Sequence, residues 1–322
     1  CASYARGYFK SYRDIALEPD LDVVLHLGDY IYEYGGSSVR AIAPPWETIN
    51  LTDYRLRYAH YRSDPDLQEA HRQHPWIVVW DDHESANDAY AGGAQNHNAG
   101  EGDWEARKAI AAQVYSEWMP IRDDLNPLKI WRSFSFGDLM DLVMLDTRIW
   151  ARSPQGTWDD PSEFLDPTRT LLGEDQQAWL AERLKTSKAT WAFIGQQVMV
   201  GQLQVDNFAF NPDQWDGYAP SRDALFDAIE AGGAESTVVL TGDIHSSWGI
   251  DLARTPQDPA TYDSATGAGA LAVEFVAPGV TSGVDIDNDL LEFVDWESFA
   301  PHVRYRDIEQ RGYIVLDVTR ED

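Results

Sequence analysis

The chain has 322 residues, 43% of them hydrophobic and 12% aromatic, which is enough to bury a large core and excludes a disordered polymer. Its formal charge of −29 comes from 54 acids against 25 bases (5 Lys and 20 Arg), and it repels nucleic acid and any anionic substrate at long range. No run approaches the roughly 20 apolar residues of a membrane-spanning helix, and the single cysteine, Cys1, excludes an intrachain disulfide. There is no initiator methionine and no secretory leader pattern, so the sequence reads as a mature or trimmed chain.

Helical spacing of Tyr8, Tyr12 and Ile15 predicts a helix over 4–17, and the β-branched run 21–27 predicts a strand. Residues 35–50 read as a loop. A helix over 52–73 is expected, capped by Thr52 and broken near Asp64-Pro65, followed by a strand over 76–80 and a Gly- and Asn-rich loop to about residue 102. A helix over 103–119 is stopped by Pro120, and 131–146 reads as a hairpin turning at Gly137-Asp138. After a loop over 152–173 come a helix over 173–187 with Trp179, Leu180 and Leu184 on one face, and a strand over 190–200. Residues 202–218 have no regular period. A helix over 221–232, a strand over 237–241, a strand over 269–279 and a closing strand over 312–320 complete the reading. This alternation predicts a single α/β domain of layered β-sheets flanked by helices.

Three stretches share one syntax: "LDVVLHLGDYIYEYGG" (21–36), "HPWIVVWDDHESAND" (74–88) and "STVVLTGDIHSSWG" (236–249). In each, an apolar run ends at once in Asp and His. Ligands of layered α/β proteins bind beyond the carboxyl ends of the strands. There these stretches place Asp29, Asp81, Asp82, Asp243, His83, His245, Tyr30, Tyr32 and Asn87. Carboxylate with imidazole on several loops is metal-ligating chemistry. Asp after Gly also suits an ordinary turn, so no one loop is diagnostic. His26, inside its strand, reads as a core histidine, and Tyr34 as packing.

With "LDTR" (145–148), "EFVAPGVTS" (274–282), "GYFKSYR", "YRLRYAHYRSDPDLQ", "WDGY" and "RGYIVLD", the motifs resemble the PhoD-like alkaline phosphatases of the calcineurin-like metallophosphoesterase superfamily, along the whole chain. The resemblance implies a metallophosphoesterase-like fold with a dinuclear metal site at the strand C-terminal ends. It implies Asp29 as the bridging acid, Tyr32 as a ferric-iron ligand, and Asp82, Asn87, Asp243 and His245 as further metal ligands. Asp82 and Asp243 stand where the superfamily uses asparagine and histidine, a hardening that favours calcium over zinc. Cys1 falls where the family has an iron-contacting cysteine; the strand that carries it would then lie upstream, as would any N-terminal β-sandwich domain. His83 is the expected catalytic group, as general acid or phosphate contact. Arg148, Tyr218 and Trp248 are candidate substrate contacts around the mouth.

The resemblance implies hydrolysis of phosphate mono- and diesters with Fe3+ and Ca2+ as cofactors, no nucleic-acid partner, and a secreted, periplasmic or cell-surface location. Two other readings stay open: a phospholipase D-like phosphodiesterase and a non-enzymatic calcium-binding module. Histidines among the ligands argue against the last, because calcium takes oxygen donors.

Overall fold

The computed structural model describes residues 1–122, 126, 128–205, 208–232, 236–284 and 295–321. In chain order its elements are α1 (Lys10–Leu17), β1 (Val24–His26), α2 (Leu51–Tyr61), α3 (Pro65–Gln73), β2 (Trp76–Val78), α4 (Trp104–Trp118), β3 (Arg132–Phe136), β4 (Met140–Met144), α5 (Gly173–Thr186), β5 (Trp191–Gly195), β6 (Gln204–Val205), β7 (Phe208–Ala209), α6 (Ala219–Gly232), β8 (Thr237–Thr241), β9 (Ser247–Leu252), β10 (Ala272–Val276), α7 (Trp296–Phe299) and β11 (Val303–Asp307).

The large sheet has the order β11-β9-β10-β8-β5-β4-β3. Its centre is parallel: β4, β5, β8 and β10 run together, while β3, β9 and β11 are antiparallel to their neighbours. Such a centre is buried on both faces, and β8 is buried at all five positions. β1 and β2 form a separate parallel pair, Leu25 opposite Ile77. One apolar cluster packs this pair with α1–α4, and a second lies on the other side of the large sheet with α5 and α6.

Several expected elements shift for local reasons. The first helix is interrupted: Tyr4–Arg6 form a 3₁₀ turn, Gly7 is extended, and α1 begins at Lys10. The stretch 52–73 divides into α2 and α3. Asn50, not Thr52, caps α2 by accepting from the amides of Thr52 and Asp53, and Asp64 caps α3 with Pro65 in its first turn. β9 and β11 were not foreseen. The strand expected over 312–320 is absent, because that extended segment joins no sheet. Of the irregular stretch 202–218, residues 206–207 lie outside the described residues.

The ends of β1, β2, β4, β5, β8 and β10 face one region. Between β1 and the large sheet lies an apolar cavity of about 230 Å³, lined by Leu25, Leu27, Phe193, Leu240, Phe275 and Ile314 among others.

Candidate metal centre

Backbone geometry marks the site first. Among the described residues, four non-glycine positions have positive φ: Asp29 (54°), Asp88 (52°), Asp243 (63°) and His245 (62°). All four sit on the loops after β1, β2 and β8. Left-handed backbone at a side chain costs free energy and persists where the surroundings over-determine it. Gly28, at φ 115°, lets two of these loops touch: a Cβ there would lie 2.3 Å from Cβ of Asp81. Glu84 then ties them, its buried carboxylate accepting from the backbone amides of Asp29 (2.9 Å), Asp81 (2.7 Å) and Tyr30.

Among the described residues, three groups of donors lie close enough to share an ion: Cys1 with Asp29 and His245, Asp29 with Asp82 and His83, and Asp81 with Asp82 and Asp243. Asp29 belongs to two of them. The phenol of Tyr32 is a hub in the first, 2.8 Å from Oδ2 of Asp29 and 2.9 Å from Nε2 of His245, while Ser282 donates to it at 2.8 Å. His245 Nδ1 faces the Gly283 carbonyl at 3.0 Å and donates to it. The phenol is thus held between a carboxylate and an imidazole nitrogen.

Oδ1 of Asp29 and Oδ2 of Asp81 are buried without a hydrogen-bond partner. Buried carboxylate oxygens are costly unless paired or coordinated. The donors thus fit a cation, by their orphaned oxygens as well as by their chemistry.

Cys1 is half-buried and firmly anchored. Its carbonyl accepts from the amides of Val280, Thr281 and Ser282, its ammonium reaches the Gly28 carbonyl, and its Sγ lies 3.6 Å from the carbonyl oxygen of Asp243. Asn87 lies at the side: its amide nitrogen donates to Gln95 and its backbone N–H to Glu33.

His83 is gripped by three consecutive residues. Tyr32 stacks on its ring at 4.0 Å between centroids, Tyr34 meets it nearly edge-on at 5.2 Å, and Nδ1 donates to the carboxylate of Glu33 at 2.6 Å. Glu33 is fully buried and also accepts from the Asn87 backbone and the Asn96 side chain, both at 2.8 Å. The sequence reading passed over Glu33 because it stands in a run of tyrosines; its spacing of four from Asp29 is the signal that could have found it.

Arg148 lies at the heart of the acids and not at an open mouth. Its side chain is wholly buried, with Nε 2.5 Å from Asp81, Nη1 2.8 Å from both oxygens of Asp213, and Nη2 2.8 Å from Asp243. Arg152 closes the far side of Asp213. Tyr218 is buried against Arg152 and Arg169 and donates to the Ser153 carbonyl. Trp248 is buried against Trp296, its indole N–H on Ser246. None of the three presents an exposed surface, so the expectation of a mouth lined by them gives way to one of interior supports.

The electrostatics follow from burial. Burial, then the charges of Asp82 and Asp29, pushes Asp81 up to about 8 against the pull of Arg148. Burial, then Asp213 and Asp82, pushes Asp88 up to about 7. Burial, with Asp81 the largest neighbouring charge, also raises Asp243 well above the ordinary carboxylate range. Asp29 goes the other way: burial opposes its ionisation, but His83, His245 and the N-terminal ammonium together hold it well below that range. The cluster is therefore short of positive charge, and a bound cation would lower all the raised values together.

Comparison with known proteins gives one consistent picture. The family model described as PhoD-like phosphatase matches residues 1–322. Alkaline phosphatase D of Bacillus subtilis (strain 168) is 36% identical over 344 aligned positions, which cover 99% of this chain and 56% of that protein. A solved structure described as "Structure of PhoD" superposes with a TM-score of 0.83 at 33% identity, covering 97% of this chain and 61% of that one. The chain thus spans little more than half the length of these relatives. Among the described residues, no helix is long and apolar enough to cross a membrane.

Proposed function

The chain belongs to the PhoD-like phosphatase family, and on that premise we propose that it hydrolyses phosphate esters with the help of metal ions held at the ends of β1, β2 and β8. The observation that carries this reading is the convergence of Asp29, Tyr32 and His245 on one point, next to buried carboxylate oxygens with no partner.

Donor chemistry divides the site in two. Cys1, Asp29, Tyr32 and His245 form a mixed set with a thiol and a phenol, suited to ferric iron. Asp81, Asp82 and Asp243 are all carboxylates, suited to calcium. Asp29 is shared by the first set and the group it forms with Asp82 and His83, and Asp82 carries that group over to the carboxylate side. When bound, such ions supply Lewis-acid charge to the phosphoryl group and acidify a water.

The remaining chemistry belongs to the chain. Glu33 fixes the His83 ring by holding its Nδ1 proton, which leaves Nε2 as the nitrogen that meets the substrate. His83 delivers a proton to the departing oxygen of the ester. Arg148 holds Asp81, Asp213 and Asp243 together and acts as a positioning residue. The expected strand upstream of Cys1 is also proposed; it is supported by the apolar cavity walled by β1 and by the segment 312–318, which lines that cavity and joins no sheet. Secretion is proposed from kinship alone.

The test is metal-dependent hydrolysis by the purified chain. A calcium chelator abolishes turnover of a phosphate ester, calcium restores it, and zinc does not. Full recovery with zinc alone would contradict the assignment of the carboxylate side.

A further inference from the structure

The three residues that grip His83 run from the interior outward. Tyr32 and Glu33 are buried, whereas Tyr34 is 42% exposed and is followed by exposed Gly35 and Gly36. Tyr34, expected from sequence as packing, is a rim residue whose ring meets the imidazole in a T-shaped contact.

A second aromatic residue lies farther along the same connection between β1 and α2. Trp46 is 59% exposed, and its indole N–H is pinned to Asp53 at 3.2 Å. The two limbs of that connection touch through backbone: a Cβ on Gly35 would lie 2.5 Å from Cα of Trp46, and the Gly36 amide donates to the Pro45 carbonyl. One buried guanidinium clamps both. Arg57 donates to the carbonyls of Tyr32 and Tyr34 on one limb and of Ala43, Pro44 and Trp46 on the other. Two large exposed aromatic side chains thus stand on firmly held backbone.

We propose that Tyr34, with Trp46 on the returning limb of the same connection, forms the surface on which the leaving group of the ester rests, and that it favours leaving groups carrying a planar aromatic ring. The inference rests on the reading of His83 as the group that protonates the leaving oxygen. That oxygen then lies within hydrogen-bond reach of His83, and the half-exposed ring against His83 is that of Tyr34. The acids of the site offer nothing to an apolar leaving group, whereas an aromatic face offers ring contact without adding charge.

The experiment measures inhibition of the metal-loaded chain by phenylphosphonate, methylphosphonate and inorganic phosphate. The three share the phosphoryl end and differ only in what extends toward the rim. The chain should bind phenylphosphonate about 3- to 10-fold more tightly than methylphosphonate. Tyr34→Ala should erase that ratio, Trp46→Ala should reduce it, and Tyr34→Phe should preserve it. An aryl phosphate and a nucleoside monophosphate then distinguish a bare aromatic ring from a nucleobase as the preferred occupant. An unchanged phenyl-to-methyl ratio in Tyr34→Ala, with inorganic phosphate still inhibiting, overturns the rim platform alone. A chain that hydrolyses no phosphate ester and is not inhibited by inorganic phosphate overturns the functional reading and this inference together.

Discussion

At the scale of single residues, the account turns on how His83 is held. His83→Ala should retain metal and lose about 10²–10⁴-fold in kcat on an alkyl phosphate, the range of a general acid. The loss should be smaller on a nitrophenyl ester, whose leaving group needs little protonation. Equal losses on both would make His83 a phosphate contact instead. Glu33 acts through His83, because its carboxylate accepts the Nδ1 proton. Glu33→Gln should lower kcat about 10- to 100-fold, the usual cost of losing an orienting partner, with KM little changed. In the His83→Ala background the same change should add almost nothing, and kinetics of the double variant measure this. Arg148 belongs to another class. Its guanidinium faces three carboxylates with no exposure to water. Arg148→Met leaves buried acids unpaired and should cost about 3–5 kcal/mol of stability, read by urea unfolding of the metal-free chain. A variant as stable as the parent would remove Arg148 from the structural framework.

At the scale of elements, the loops after the strands are locked from beneath by buried acids. Glu274 of β10 accepts from the amides of Val200 (2.9 Å) and Gly201 (2.7 Å) and from the Thr241 hydroxyl (2.6 Å), fastening β10 and β8 to the loop after β5. Burial pushes it up to about 7 from an ordinary 4.5. The folded chain therefore holds this proton more tightly than the unfolded chain. The associated stability is full below about pH 4.5 and is lost as pH rises toward about 7, on the order of 3 kcal/mol. Glu274→Gln should flatten that part of the pH profile, which urea unfolding at pH 5 and pH 7 reads; an unaltered slope would mean Glu274 is ionised in the fold. The strand ends were legible in the sequence because apolar runs stopped at Asp and His. β9 and β11 were not, because antiparallel partners at the sheet edge tolerate polar positions such as Ser247, Asp251, Arg304 and Arg306. The alternating pattern of 312–320 misled for the opposite reason: a strand needs a partner, and pattern does not report one. Asn50 was passed over as a cap for the nearer Thr52. Glu33 escaped because a run of tyrosines hides its spacing from Asp29, and Tyr34 because its ring partner, His83, is distant in sequence.

At the scale of the whole molecule, a net charge of −29 surrounds the site proposed to receive a phosphate ester. On that proposal the fold opposes its substrate at long range, and bound cations would reverse the sign locally. Screening should help: as salt rises from about 0.01 M to about 0.15 M, where the Debye length falls from about 30 Å to about 8 Å, KM for a dianionic ester should fall. A KM that rises over this range would show that the local positive field already reaches into solution. The layered fold and the residues at its strand ends were expected from sequence, whereas the depth at which Arg148, Tyr218 and Trp248 lie was not, since burial is a property of the assembled sheets. The central claim is that one carboxylate, Asp29, joins two sets of metal donors. Elemental analysis of the purified chain and of Asp29→Ala, with ester hydrolysis assayed on the same samples, tests it most directly. At least two ions per parent chain are expected, and the loss of both, with activity, in the variant. Two ions retained in Asp29→Ala would contradict it and leave the loop after β1 as an ordinary turn.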